Sequence, residues 1–533
     1  MDPAAALREH FGFDSFRPGQ EQAVRAAIGP PARDVLAVMP AGAGKSLCYQ
    51  LPALVRDDLT LVVSPLVSLM QDQVDALAAI APGRVALVNA QRDGAENRAA
   101  LERAAAGELR LLYVAPERFS SAPFLEAMKA TRIGLFVVDE AHCVSQWGHD
   151  FRPDYFRLAD AARRLEAEAI IASTATATPR VARDIEVRLG LRDPVRVATG
   201  FERPNISFAV IPCATAQAKH RHIAAALAAP GATPAIVYAG TRAGAEKLAL
   251  RLSPALAGCV GVYHAGLGRE QRAVVQRRFM NAELSVVVAT NAFGMGIDKA
   301  DVRTVCHETV PGSIEAYYQE AGRAGRDGQP ARALLFAESR DKGLHVFFIQ
   351  RGELSDQSAG EGQRARWRQY HAVWGFVEGS ACRRRTILRH FGDTLAPRSD
   401  PGVPCCDVCD PAWVPAAPLP ARGRRRADEA DEAGEADERA RGMAELDATI
   451  VAVVGSTRPR VGRTRTVEIL RGGRAKALVE HGYDGLPEYG TFGHLPARQV
   501  LARVDELIEA GRLRTTGGAY PTLESVPAAR AAA

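Results

Sequence analysis

The chain has 533 residues, is 47% hydrophobic and 24% charged, and carries a formal net charge of +5 at pH 7. That length exceeds a single core and predicts roughly three to five domains. No apolar run reaches the ~18 residues of a membrane span, and the opening MDPAAALREHFGF lacks the basic-then-apolar pattern of a secretory signal. A cytoplasmic protein with no membrane partner is expected, and the mild charge leaves nucleic acid to be argued from local features.

The first predicted element is a strand, VLAVM (35–39), which breaks at Pro40 into the small-residue loop Ala41-Gly42-Ala43-Gly44. Lys45 and Ser46 close the loop, and a helical pattern begins at Leu47. A strand, a glycine turn and a helix N-terminus point several backbone N–H groups at one place. A lysine there meets the β- and γ-phosphates of a nucleotide, and a serine hydroxyl can ligate Mg²⁺. The strict phosphate-loop pattern would have glycine at Met39, so the loop is degenerate.

Further apolar runs follow at TLVVSP (60–65), VALVN (85–89), LRLLYVAP (109–116), GLFVVDE (134–140) and AIIASTA (169–175). Continuous rather than alternating apolar runs predict parallel strands buried on both faces. The pattern restarts at AIVYAGT (235–241), VGVYHAG (260–266), LSVVVAT (284–290), TVCHETV (304–310) and ALLFA (333–337). Two consecutive α/β domains are predicted, with a boundary near residue 200 and with ligands beyond the carboxyl ends of the strands.

The run FVVDE ends in Asp139-Glu140-Ala141-His142, which places two carboxylates at the end of a buried strand. The first can hold Mg²⁺, and the second can orient or deprotonate a water. Directly after it, VSQWGHDFRPDY (144–155) mixes aromatic and polar residues too evenly for a core. Trp147 and Phe151 offer π-faces to unstacked bases, while His149 and Arg152 supply charge or hydrogen bonds. In the second domain, QEAGRAGRDG (319–328) carries Arg323 and Arg326 on one face of a short helix or turn, flanked by glycines. Arginines delivered to a phosphate loop from another domain stabilise charge during γ-phosphoryl transfer.

From about 340 to 410 the pattern is helical and ends in a cysteine cluster. Cys48, Cys143, Cys213, Cys259 and Cys306 are scattered and read as reduced thiols; Cys382, Cys405, Cys406 and Cys409 cluster and point to a metal. Cys406 and Cys409 have C-x₂-C spacing, and four thiolates suit zinc. His390, Asp400 and Asp407 are alternatives to Cys405, which adjoins Cys406. Residues 413–441 read as a disordered linker ending in an acidic run, Asp428 to Glu438, and 442–525 as a small helical module with a hairpin around 515–520.

Taken together, these motifs resemble a superfamily 2 helicase, and specifically the RecQ family of DNA helicases, over about 7–412 and again over 443–525. FGFDSFRPGQEQAV (11–24) is similar to the family's adenine-recognition motif; VVSPLVSLMQDQV (62–74), YVAPERF (113–119), ASTATAT (172–178) and VATNAFGMGIDKADVR (288–303) resemble its DNA-holding and coupling motifs. The loop at 144–155 resembles the aromatic-rich loop that other helicase groups lack. The implied fold is α/β: two tandem RecA-like parallel-sheet domains (1–200 and 201–338), then a helical zinc-binding subdomain (339–412). The linker (413–441), a winged-helix domain (442–525) and a tail (526–533) complete it.

The resemblance implies an ATP-dependent DNA helicase with 3′→5′ polarity that acts on single-stranded and on forked or tailed duplex DNA in repair, recombination and replication. A single-strand-binding protein is a candidate partner, and a bacterial member would associate with the nucleoid. It implies ATP, Mg²⁺ and Zn²⁺ as cofactors. Phe13 would stack on adenine, and Arg17 and Gln20 would bond its edge or the adjacent phosphates. Gly42, Ala43, Gly44, Lys45 and Ser46, with His142, would serve the nucleotide. Asp139 and Ser46 would hold Mg²⁺; Glu140 would position water; Arg326, with Arg323 and Gln319, would sense the γ-phosphate. Gln146, Trp147, His149, Phe151 and Arg152 would meet DNA, and Cys382, Cys405, Cys406 and Cys409 would bind zinc. Arg458, Arg460, Arg463, Arg465, Arg471 and Arg474 make a candidate DNA-backbone surface in the winged helix. Two departures stand out: Ala41 replaces the family's usual threonine, which predicts weaker ATP affinity, and HETVPGS (307–313) lacks a charged pair often found there.

Overall fold

A computed structural model describes residues 2–414, apart from 66, 91, 149, 257, 295–298 and 353–358, and residues 443–526, apart from 474–477, 479, 494, 496 and 517–520. His149, Arg474, residues 415–441 of the linker, 527–533 of the tail, 517–520 of the expected hairpin and 295–298 of the 288–303 motif therefore lie outside the described residues. The chain divides into two compact units, 1–418 and 419–533. Among the described residues no helix is long and apolar enough to cross a membrane.

The first unit contains two parallel sheets. In the first, β1 (Val35–Val38), β2 (Leu59–Val63), β3 (Val85–Val88), β4 (Leu111–Val114), β5 (Ile133–Asp139), β6 (Ala169–Thr174) and β7 (Val195–Ala198) lie in the order β3-β4-β2-β5-β6-β1-β7. Every residue of β1, β2, β4, β5 and β6 is buried, as the continuous apolar runs require. In the second, β8 (Ile206–Pro212), β9 (Ala235–Tyr238), β10 (Val260–Tyr263), β11 (Val286–Ala289), β12 (Thr304–His307) and β13 (Ala331–Ala337) lie in the order β10-β11-β9-β12-β13-β8. β7 and β8 were not anticipated. β7 is an edge strand whose alternate side chains, including Arg196, face outward, so it carries no apolar run.

Register positions the chemistry. β6 lies between β1 and β5, pairing Val38 with Thr174 and Asp139 with Ser173. The loop after β1, the DEAH sequence after β5 and the end of β6 therefore converge at one edge of the sheet, beyond the strand carboxyl ends.

The helices Ser339–Gly352, Ala359–Glu378 and Arg383–His390 follow the second sheet. The cysteine segment then returns to it: Phe208 N–H donates to Cys405 O (3.3 Å) and Asp407 N–H to Phe208 O (3.0 Å), which attaches residues 405–407 to β8 at the sheet edge. The second unit has a helix over 443–456, helices Arg463–Leu470 and Ala497–Glu509, and an antiparallel pair, β14 (Leu513–Thr515) with β15 (Leu523–Ser525). Its own core includes Leu446, Ile450, Val453, Leu470, Val504 and Leu523. This helix-rich unit with one terminal hairpin is the winged-helix arrangement.

Candidate nucleotide, zinc and DNA sites

The loop after β1 has Gly42 and Gly44 at φ 82° and 74°, a conformation that side chains with a Cβ rarely adopt. A methyl group on Gly44 would also lie 2.6 Å from Gln20 Nε2. Lys45 is drawn back over the loop, with Nζ 3.2 Å from Met39 O and 3.5 Å from Pro40 O. Burial lowers its pKa; Glu140 and Asp139 oppose that effect, and Arg326 adds to it.

Asp139 is buried at the end of β5, and burial together with the neighbouring Glu140 pushes its carboxyl up to about 7. Glu140 sits at φ 48°, ψ 48°, the left-handed region that costs a non-glycine residue of order 1–3 kcal/mol. Such strain persists where surrounding contacts hold it, and here it turns the Glu140 carboxylate to within 3.3 Å of His142 Nδ1. His142 Nδ1 also lies 2.9 Å from Thr174 Oγ1 at the end of β6, and the Tyr155 hydroxyl donates to Asp139 O (3.1 Å). The DEAH residues are therefore tied directly to the ASTATAT motif and to the last residue of the aromatic loop.

Arg17 and Gln20 do reach the nucleotide loop, but through its backbone. Arg17 Nη1 donates to Gly42 O (2.5 Å), and Gln20 Nε2 donates to Ala43 O and Gly44 O (3.0 Å each). Phe13 is 55% exposed beside Phe11, which leaves its ring accessible to a planar ligand.

The second domain approaches the same loop. A methyl group on Gly42 would lie 3.5 Å from Arg326 Cγ, so Arg326 packs directly on the phosphate loop. Arg323, only 5% exposed, lies instead beside Tyr238 and Gly294 of its own domain. With Gln319 it lines a cleft of about 750 Å³ that also includes Asp150 and Arg152 of the aromatic loop and Gln369 of helix Ala359–Glu378. No residue of the phosphate loop lines this cleft. The two arginines predicted to share one face therefore have different neighbours.

In the aromatic loop, the structure fills the Trp147 face that the sequence suggested was open. The guanidinium carbons of Arg180 and Arg368 lie 3.4 and 4.4 Å from its ring centroid. Gln369 Nε2 reaches Gly148 O at 3.3 Å. Arg152 pairs with Asp150 (2.9 Å) and donates to Pro65 O (3.2 Å). Phe151 packs on Phe156 (5.1 Å), and Gln146 is half-buried.

The Sγ atoms of Cys382, Cys405, Cys406 and Cys409 all lie within 4.8 Å of one another. Cys382 Sγ is 3.6 Å from Cys405 Sγ and 3.9 Å from Cys406 Sγ. A zinc ion with Zn–S bonds of ~2.3 Å in a tetrahedron needs S···S edges of about 3.8 Å, so the set fits zinc. Two alternatives to Cys405 are engaged elsewhere, His390 with Glu315 (2.9 Å) and Asp407 with Arg383 (3.0 Å), and Asp400 is not part of the close ligand group.

In the second unit three of the candidate basic-surface arginines are ion-paired. Arg460 pairs with Glu524, Arg463 with Asp505 and Arg465 with Glu468, while Arg471 bonds Leu495 O and Arg458 bonds Gly455 O.

A residue that sequence reasoning passed over is Arg203, in the connection between the sheets. Its guanidinium donates to Gly322 O (2.7 Å), Ala324 O (2.6 Å) and Gly325 O (3.1 Å) and reaches Ala41 O at 3.5 Å. Its only sequence signal is the RPN run at 203–205, whose partners are backbone atoms far along the chain.

Two parallel-sheet domains meeting across a phosphate loop, a DEAH sequence and an arginine motif define a nucleotide-driven motor of the helicase class. Family models agree segment by segment: DEAD/DEAH box helicase over 17–185, helicase conserved C-terminal domain over 219–328, RecQ zinc-binding over 339–410 and RQC domain over 443–533. The chain is 34% identical over 519 residues to "ATP-dependent DNA helicase RecQ" of Bacillus subtilis, covering 97% of this chain and 81% of that one. It is 38% identical over 411 residues to the protein of the same name from Haemophilus influenzae, covering 76% of this chain and 63% of the relative. The fold resembles Mycobacterium smegmatis helicase Lhr, solved bound to ssDNA and AMP-PNP (TM-score 0.52, 23% identity, 72% of this chain and 59% of that chain). The chain belongs to the RecQ family of ATP-dependent DNA helicases.

Proposed function

We propose that this chain moves 3′→5′ along single-stranded DNA at the expense of ATP and separates forked or tailed duplexes in repair, recombination and replication. The observation that carries the reading is Arg326 of the second domain lying on Gly42 of the phosphate loop. An ATP site built from both domains makes hydrolysis and domain movement one event. The 3′→5′ polarity, and the expected partnership with a single-strand-binding protein in a nucleoid setting, rest on family resemblance alone.

In this reading Phe13 stacks on adenine. Arg17 and Gln20, which now bond the loop carbonyls, exchange part of that bonding for the nucleotide. Lys45 leaves the Met39 and Pro40 carbonyls to meet the β- and γ-phosphates. The buried Asp139, disfavoured as an anion beside Glu140, and the Ser46 hydroxyl suit Mg²⁺, which when bound neutralises charge on the phosphates. Glu140 orients the water that attacks the γ-phosphorus as ADP leaves, and Arg326 stabilises the charge that develops. Arg323 and Gln319 report that event to the cleft they share with Arg152. His142, bonded to Glu140 and Thr174, links the water site to the aromatic loop, where Gln146, Trp147, Phe151 and Arg152 meet DNA. Cys382, Cys405, Cys406 and Cys409 hold zinc as a structural clamp.

The test is ATP hydrolysis by the full chain with single-stranded DNA or RNA of the same sequence. Strong stimulation by DNA with little by RNA is expected. Equal stimulation by both would move the assignment to an RNA helicase, and stimulation by neither would remove the motor.

A further inference from the structure

The connection between the two sheets, residues 201–205, holds the turn of the arginine motif through the side chains of Arg203 and Asn205. Phe201 packs on Phe391 (4.3 Å between ring centroids) and accepts from the Tyr318 hydroxyl through its carbonyl (2.8 Å). Asn205 Nδ2 donates to Gly325 O (2.7 Å) and Gln329 O (2.9 Å). Gly325 is at φ 56°, and a methyl group there would lie 2.4 Å from Asn205 Nδ2, so backbone and side chain fit closely. Arg203, between them, donates to three carbonyls of the turn Gly322–Gly325 and in addition reaches Ala41 O in the phosphate loop.

Three physical features set Arg203 apart from a surface arginine. Its guanidinium is bonded to neutral carbonyls, and no carboxylate among the described residues pairs with it. Burial and the nearby Arg326 lower its pKa. Its own backbone is held as well: Arg384, fully buried, donates to Arg203 O (2.5 Å) and Ile206 O (2.8 Å). A half-buried cation held on carbonyls with no anion beside it gives up hydration that an exposed arginine keeps. The planar fork can hold several carbonyls at fixed spacing, which a lysine ammonium cannot.

We propose that Arg203 is a positioning residue for ATP hydrolysis: it sets the turn Gly322–Gly325, and with it Arg326, in register against the phosphate loop. The inference rests on the motor reading above and adds a residue to it. An arginine that stabilises a transition state works only at the right distance, and a displacement of about 1 Å can cost ~10²-fold in rate. Loss of Arg203 therefore acts on turnover rather than on nucleotide capture.

The experiment measures DNA-stimulated ATP hydrolysis by full-length Arg203→Ala and Arg203→Lys, with unaltered protein and Glu140→Gln alongside. Thermal unfolding and zinc content establish that each variant is folded. The expected result is kcat lower by ~10–100-fold in both variants, with KM for ATP within about threefold of the unaltered chain. Lysine does not rescue, because a single ammonium cannot span the carbonyls that the fork holds. Unchanged kcat with a lowered unfolding temperature would overturn the proposal in favour of a purely structural role. A raised KM restored by lysine would overturn it in favour of a simple charge near the phosphates. If Arg203→Ala fails to fold, Arg203→Lys alone decides, since full activity in it contradicts the proposal. An unaltered chain that hydrolyses no ATP with DNA would remove the motor reading itself, and this inference with it.

Discussion

The guanidinium carbon of Arg180 lies 3.4 Å from the centroid of the Trp147 ring. Arg180 is in the first turn of helix Pro179–Leu189, capped by Thr178 at the end of the ASTATAT motif. Trp147 is in the aromatic loop that follows the DEAH sequence. The contact therefore ties the loop proposed to meet DNA to the segment whose Thr174 bonds His142. Arg368, from helix Ala359–Glu378, adds a second cation 4.4 Å from the same centroid. For a base to stack on this ring, a guanidinium must give way, at ~0.5–2 kcal/mol per contact.

Removal of that ring should weaken DNA engagement. Stacking on an aromatic side chain is worth ~1–3 kcal/mol per base, so Trp147→Ala should raise the single-stranded DNA concentration for half-maximal ATPase stimulation by ~5–100-fold. Titration of ATPase rate against oligonucleotide concentration measures this. An unshifted titration would remove Trp147 from the DNA interface.

Ala41 offers a gain of function. It lacks the hydroxyl that the family usually places near the nucleotide, and its Cβ lies 3.7 Å from where a Cβ on Gly322 would stand. One restored hydrogen bond is worth about 0.5–1.5 kcal/mol, so Ala41→Thr should lower KM for ATP by ~2–10-fold. A raised KM would mean that the contact with Gly322 has no room for the extra atoms.

Acid should loosen the packing of helices Ser339–Gly352 and Ala359–Glu378. His345 donates through Nε2 to Val310 O (2.6 Å), and its Nδ1 accepts from Trp374 Nε1 (3.2 Å), so both nitrogens are committed to the neutral ring. Burial holds its pKa below the ordinary 6.5. The stabilisation is therefore fully present above pH 6.5 and is lost as pH falls below it, where the unfolded chain takes up a proton that the folded one resists. Unfolding temperatures at about pH 7.5 and about pH 5.5 should fall further in the unaltered protein than in His345→Gln. Equal falls in both would rule out His345 as the source.

Zinc should be one per chain and structural. Cys406 is the buried member of the cluster, and its segment is attached to β8 through Phe208. Cys406→Ser should reduce bound zinc to a small fraction and lower the unfolding temperature, because metal-binding energy at such sites is folding energy. Undiminished zinc by elemental analysis would contradict the four-thiolate site.

The parts of this fold that were legible in the sequence are those written in local pattern. Continuous apolar runs such as GLFVVD mark strands buried on both faces, and a small-residue loop before Lys45 or a carboxylate pair after a buried strand marks a strand end. β7 was illegible because an edge strand exposes alternate side chains, and VRVA contains no apolar run. Arg203 was illegible for a different reason: its partners are backbone carbonyls about 120 residues away, which carry no side-chain signature. The winged-helix arginines read as a free basic surface because Arg460 and Arg463 find their carboxylates, Glu524 and Asp505, far along the chain. The Arg465–Glu468 pair, at helical spacing, could have been read directly. The aromatic loop shows the limit of composition. Its mixed composition suggests residues too polar for a core, but not that Trp147 packs half-buried against the core with Arg180 and Arg368 over its ring.

The most direct test of the motor assignment is strand separation of a 3′-tailed duplex in ATP and Mg²⁺ by the unaltered chain and by Glu140→Gln. The account predicts separation by the unaltered protein that requires the 3′ tail, and its loss, with DNA binding retained, in the glutamine variant. Equal separation by both proteins would contradict the assigned chemistry.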